Sequence, residues 1–140
     1  MSLHHVELWV ASFESALPRW DWLFGRLGWA RYQEWPGGTS WRPAAGGGYV
    51  VLEESPALTR DVPYDRMRAG LNHLAVAVPD RSTVDAVAAT GPRHGWALLF
   101  PDRHPHAGGE QTYSAYLSDP DGYEVEVVGP EDGPPAPSHP

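Results

Sequence analysis

The chain has 140 residues, a formal net charge of −8 and no cysteine. That length fits one domain, the absence of cysteine excludes disulfides and thiolate metal sites, and the negative charge repels nucleic acid without any Lys/Arg cluster to offset it. A hydrophobic fraction of 41% supplies an ordinary core, while no apolar run approaches the ~18 residues that a membrane span needs. The start of the chain lacks a basic stretch followed by an apolar one, so no signal peptide is expected, and the absence of cysteine fits a reducing cytoplasm. Seven tryptophans are many for this length; some belong in the core, and others suit a concave aromatic pocket.

Leu3 to Val10 alternates as a strand does, with Val6, Leu8 and Val10 on one face and His5, Glu7 and Trp9 on the other. Ser12 is a candidate helix cap, and Leu17, Trp20, Leu23, Phe24 and Leu27 follow at helical spacing. Pro18 predicts a late start or a kink in that helix, and Gly25 and Gly28 mark its end. Tyr32 to Trp35 and Thr39 to Arg42 flank Pro36-Gly37-Gly38 as a hairpin, and Tyr49 to Glu53 is a further strand after a triple-glycine turn. Residues 55–70, with Pro56 and Pro63, form a polar connection.

The pattern then restarts. Leu71 to Val78 is a strand with His73, Ala75 and Ala77 on one face. Ser82 is expected to cap a helix running to Thr90, with Asp85 in the capping-box position. Trp96 to Phe100, Gln111 to Leu117 and Tyr123 to Val128 are strands, the last two joined by Asp119-Pro120-Asp121-Gly122. That turn resembles a fragment of a calcium loop but lacks the remaining ligands. Residues 130–140 hold five prolines and no apolar periodicity, which predicts a disordered tail.

His5 and His73 stand 68 residues apart, and each opens a strand that leads into a helix. Glu53 follows His5 by 48 residues and Glu126 follows His73 by 53. Such a period is too long for a solenoid unit and suits a duplicated α+β module with one helix and about four strands. His5, Glu53, His73 and Glu126 together form a mixed imidazole and carboxylate set that suits one divalent ion such as Zn, Ni, Co, Mn or Fe(II). A lone strand histidine is usually a packed or rim residue, and a lone strand glutamate is usually solvated. Two histidines at equivalent places in a repeat, each followed by a strand glutamate, weigh against that reading. His4 competes with His5, but its parity puts it on the aliphatic side. Glu54 competes with Glu53, and Glu124 with Glu126.

The loop Arg103 to Glu110 carries His104 and His106 beside Pro105 and Gly108-Gly109. It reads as a lid bordering the cavity, with His104 and His106 as candidate general bases and Arg103 as a substrate contact, or else as an exposed turn. Tyr113 or Tyr116 is placed to donate a hydrogen bond to substrate, with core packing as the alternative. Trp9 shares the His5 face and is expected to line the cavity. No phosphate-binding glycine loop opens a helix, and no Gly-x-Ser-x-Gly or cysteine nucleophile is present.

The segments LHHVELWV, LNHLAVAV and SDPDGYEVEVV resemble the strand motifs of the vicinal-oxygen-chelate superfamily, which includes glyoxalases, bleomycin-resistance proteins and extradiol dioxygenases. The third is the most specific, and in its pattern the ligand is Glu126 and not Glu124. The resemblance covers about residues 3 to 128. It implies an α+β fold of two βαβββ modules forming a curved, barrel-like mixed sheet around a metal-binding cavity, with the helices outside. Module one then spans about 3–54, the linker about 55–70 and module two about 71–129. By that resemblance His5 and His73 match the ligand histidines, and a glutamate in the last strand of module one completes the glyoxalase-like site; YVVLEES offers Glu53 or, by register, Glu54. If Glu53 is not a ligand, His5, His73 and Glu126 form a two-histidine, one-carboxylate triad suited to Fe(II) and oxygen chemistry.

The expected function is that of a metal-dependent enzyme, a lyase, isomerase or dioxygenase that chelates a small oxygen-rich molecule, with Glu53 also able to shuttle a proton. The alternative is a metal-free protein that sequesters an aromatic or cationic small molecule, a role that needs neither histidine. The expected partners are a small-molecule substrate and a second copy of the chain in a homodimer.

Overall fold

A computed structural model describes residues 1–131. The expected tail at 130–140 therefore lies almost wholly outside the described residues. The chain divides into two compact units, Met1–Asp65 and Arg66 onward. The division falls inside the predicted polar connection, which carries no helix or strand. Among the described residues no helix is long and apolar enough to cross a membrane.

Unit one runs β1 (His5–Trp9), α1 (Phe13–Arg26), β2 (Trp29–Trp35), β3 (Gly38–Pro43) and β4 (Tyr49–Glu53). Its sheet is ordered β1-β4-β3-β2, with β1 parallel to β4 and the other pairs antiparallel. Ser12 caps α1 by accepting the Ser15 amide. The helix passes through Pro18 rather than starting after it. Pro18 forfeits one backbone bond, but Ala16, Trp20, Leu23 and Phe24 are all buried by the helix that contains it. Three large apolar groups removed from water, with the Ala16 methyl, offset one lost hydrogen bond. Phe24 packs on Trp29 and Trp41, with ring centroids 5.0 and 4.9 Å away. The Trp41 indole N–H donates to Asp21, which the Arg31 guanidinium also holds at 2.9 Å. Arg31, and the Trp41 bond after it, keep that carboxyl below its ordinary range.

The β2–β3 hairpin turns at Gly37, whose φ of +83° suits glycine. Its register shifts between Arg31 and Glu34. The bulge strands the backbone of Gln33, and side chains of β3 satisfy it: Ser40 Oγ accepts the Gln33 amide at 3.1 Å and Thr39 Oγ1 donates to the Gln33 carbonyl at 2.9 Å.

Unit two repeats the βαβββ order with β5 (Leu74–Ala77), α2 (Arg81–Thr90), β6 (Ala97–Leu99), β7 (Ser114–Ser118) and β8 (Glu124–Val128). The sheet order β5-β8-β7-β6 matches that of unit one, again with the first strand parallel to the last. Val76, Val84, Val87, Leu117, Val125 and Val127 form its core. The expected cap at Ser82 is corrected: Asp80 is the N-cap, and its Oδ1 accepts the Thr83 amide and both neighbouring hydroxyls. A carboxylate with three donors outcompetes a single serine hydroxyl. A 3-10 turn at Gly91–His94 extends the helix beyond Thr90. The strand expected over 71–78 begins only at Leu74, so His73 stands one residue ahead of it.

Candidate functional site

In unit two, Glu124 and Glu126 lie two residues apart on β8 and share one face of the sheet. Tyr116 of β7 pairs directly with Glu126. On the other side, Ala75 of β5 pairs with Glu126, which sets His73 level with Glu124. His73 Nε2 is 3.3 Å from Glu126 Oε1 and Nδ1 is 3.4 Å from Glu124 Oε2. Burial first, then the Glu126 charge, pushes the Tyr116 pKa above the ordinary value. Its ring lies edge-on to His73 at 5.9 Å and to Phe100 at 5.7 Å.

Glu124 is the more buried carboxylate, with an 8% exposed side chain against 14% for Glu126. Arg66 Nε stands 3.5 Å from Glu124 Oε1, while its Nη1 donates to the Gly122 carbonyl at 3.1 Å. The Gly122 turn after Asp119 is closed by the Asp119 carboxylate, which accepts the Tyr123 amide at 2.8 Å. The Asp-Pro-Asp-Gly segment thus works as a turn that delivers β8.

In unit one, His5 pairs with Tyr49 across β1 and β4, and their rings stack at 4.9 Å. His4 and His5 approach through their Nδ1 atoms at 2.8 Å, and His4 also meets Tyr49 edge-on at 5.4 Å. The expectation that His4 turns to the aliphatic side is corrected: His4 precedes β1, so the pleat does not govern its side chain. The rest of the alternation holds, with Leu8 and Val10 buried and His5, Glu7 and Trp9 exposed. The Trp9 indole N–H donates to Glu7 at 2.7 Å.

Glu53 pairs with Trp9, at the opposite end of the ladder from His5. Four residue steps separate them, roughly 13 Å along the strand at the usual rise. The register therefore does not bring Glu53 beside His5. In unit two Glu126 lies two steps past the position level with His73; the same offset from His5 lands on Val51, which is buried. Glu54 is committed elsewhere. Its carboxylate accepts the Phe13 amide at the start of α1 and the Arg60 guanidinium, and those two contacts, in that order, hold its pKa down.

The loop from Arg103 to Glu110 folds within unit two. The Arg103 guanidinium lies 4.8 Å over the Phe100 ring. His106 Nδ1 is 2.7 Å from the Thr112 carbonyl, and His104 Nδ1 is buried without a hydrogen-bond partner. Gly108 packs so closely that a Cβ there would stand 2.8 Å from the Tyr116 hydroxyl. The loop thus abuts the Tyr116 end of the His73 cluster. Tyr113 does not join it: its hydroxyl donates to Asp85 of α2, and Arg81 covers its ring at 4.2 Å.

Unit two therefore assembles His73, Glu124, Glu126 and Tyr116. Among the described residues, no group of three or more His, Cys, Asp or Glu side chains converges tightly enough to hold a metal ion unaided. Asn72, Arg66 and Phe100 border the cluster and went unnoticed in the sequence, because none carries a spacing signal.

A family model described as the glyoxalase/bleomycin resistance protein/dioxygenase superfamily matches residues 4–116. The uncharacterized protein YqjT of Bacillus subtilis (strain 168) is 37% identical over 128 residues, covering 91% of this chain and 98% of that one. Catechol-2,3-dioxygenase of the same organism is 37% identical over 78 residues, 56% of this chain but only 25% of that enzyme. The crystal structure of a candidate glyoxalase from Bacillus halodurans superposes with a TM-score of 0.83 at 38% identity, covering 91% of this chain and 95% of that one.

Proposed function

The chain belongs to the glyoxalase/bleomycin resistance protein/dioxygenase superfamily, and from that premise we propose that it is a metal-dependent enzyme acting on a small oxygen-rich molecule. The carrying observation is the approach of His73 Nε2 to Glu126 Oε1 at 3.3 Å, with Tyr116 level with the same carboxylate on the neighbouring strand. An imidazole nitrogen and a carboxylate oxygen are the donor types that Zn, Ni, Co, Mn and Fe(II) accept. His73 and Glu126 are the proposed ligands in unit two, and within unit one His5 is the proposed nitrogen donor. Glu53 has less support as the fourth ligand, because the position in register with Glu126 is Val51. A divalent ion held there would supply Lewis acidity toward substrate oxygen.

The remaining work falls to the chain's own groups. Tyr116 keeps its proton through the neutral range, so it is a donor available to substrate beside Glu126. Phe100, 42% exposed beside Tyr116, gives the site an apolar wall. His104 and His106 are proposed to move a proton to or from substrate, and Arg103 and Trp9 to contact it. The same proposal carries a homodimeric, cytoplasmic protein.

Elemental analysis of protein purified without an affinity tag tests the reading. One divalent ion per chain is expected, lost in His73→Ala with the circular dichroism spectrum unchanged, since His73 lies outside the strands and the core. Intact wild-type protein that takes up none of the five ions in calorimetric titration refutes it. Undiminished capture of an aromatic or cationic ligand by His73→Ala would point to the sequestering role instead.

A further inference from the structure

We propose that Asn72 is a positioning residue that decides which ring nitrogen of His73 is presented to Glu126. The proposal rests on His73 as a metal ligand and extends it to a residue that touches no ion. The Asn72 Nδ2 donates to the Arg66 carbonyl at 3.1 Å. A backbone carbonyl only accepts, so this contact orients the amide and leaves Oδ1 turned toward His73, 2.7 Å from Nδ1. Oδ1 also only accepts. The contact therefore requires the hydrogen to be on Nδ1, and a neutral imidazole then carries its lone pair on Nε2, the atom aimed at Glu126.

The other acceptor near Nδ1 is Glu124 Oε2, at 3.4 Å. It competes poorly because the contact is 0.7 Å longer than the Asn72 one and because Arg66 draws Glu124 toward its guanidinium. Arg66 thus serves the arrangement twice: its carbonyl holds the Asn72 amide, and its side chain holds Glu124 and the Gly122 turn. The consequence at Nε2 is specific to the neutral ring. There an unprotonated nitrogen and a carboxylate oxygen face each other at 3.3 Å, an arrangement of two electron-rich atoms that becomes favourable once a cation lies between them.

The test uses the metal-free full chain and two variants, Asn72→Ala and Asn72→Asp. Asn72 is exposed and lies outside every helix and strand, so both are expected to fold. Long-range 15N–1H spectra at pH ~8, above the ordinary histidine range, identify the tautomer, with His73→Ala assigning the signal. Wild type and Asn72→Asp are expected to hold the Nδ1–H form, and Asn72→Ala to shift toward Nε2–H. Zn titration of the same samples is expected to show affinity about tenfold weaker in Asn72→Ala, at the low end of what losing a ligand's outer partner costs. An Nε2–H form in wild type, or an unchanged tautomer and affinity in Asn72→Ala, overturns the proposal. A wild type that binds no Zn while the tautomer still shifts in Asn72→Ala overturns the metal reading and leaves the role of Asn72 standing.

Discussion

Replacing Tyr116 with phenylalanine removes one half-buried hydroxyl beside Glu126 in the β7–β8 ladder. A hydroxyl's polar interactions contribute a net of about 0.5–1.5 kcal/mol. Glu126 is 14% exposed and Tyr116 partly so, so water replaces part of what is lost. The expected loss is therefore about 1 kcal/mol, or roughly 3–5 °C in melting temperature for a chain of this size. The pH dependence sharpens the test. The folded state raises the Tyr116 pKa above its value of 10.0 in the unfolded chain. Between those two values the folded state binds more protons than the unfolded one, so stability falls as pH rises. The wild-type advantage is thus fully present below pH ~10 and is lost as pH climbs through the folded value. Guanidinium denaturation of metal-free wild type and Tyr116→Phe, from pH 7 to 11, reads it directly. A gap that stays constant across that range refutes the burial of the phenol beside the Glu126 charge.

Two further expectations follow from single contacts. Glu54→Gln is expected to be less stable than wild type at pH 7 in urea melts. Because the folded state lowers the Glu54 pKa, the advantage exists above the unfolded value of 4.5 and closes as pH falls below it; equal stability at pH 7 would remove the tie to α1. Gly108→Ala places a methyl group 2.8 Å from the Tyr116 hydroxyl and 3.1 Å from Thr112 Oγ1, so a loss of about 1–3 kcal/mol is expected from overpacking. An unaffected midpoint would mean that the loop yields without disturbing Tyr116.

The repeat was legible because its signals are local. Strand alternation, caps and turns read β4 to the residue and β8 to within one residue of its observed start. The two helices were placed correctly, but Pro18 and Asp80 show what local signals miss. A proline is tolerated when the apolar face around it is buried, and a better cap two residues upstream displaces a good one. At the site, parity alone named the faces of β1 and β8. It did not give the offset between paired strands, and that offset separates Glu53 from His5. The same missing quantity left Tyr113 and Tyr116 equivalent, although the β7–β8 register sends only Tyr116 to Glu126. Asn72 was invisible for another reason: its role depends on a carbonyl six residues back, at Arg66.

The segment joining the two units is pinned near both ends. Arg60 holds the Ala11 carbonyl and Glu54 in unit one, and Arg66 holds Gly122 and Glu124 in unit two. Only residues 61–65 lie between the anchors, and Asp61 there adopts a left-handed φ of 67°. For protein engineering this defines a narrow splice point. A protease cassette or flexible insert at 61–65 leaves each arginine with its own unit, whereas the same insert at 67–71 would part Arg66 from Asn72 and reach the His73 cluster through the chain itself.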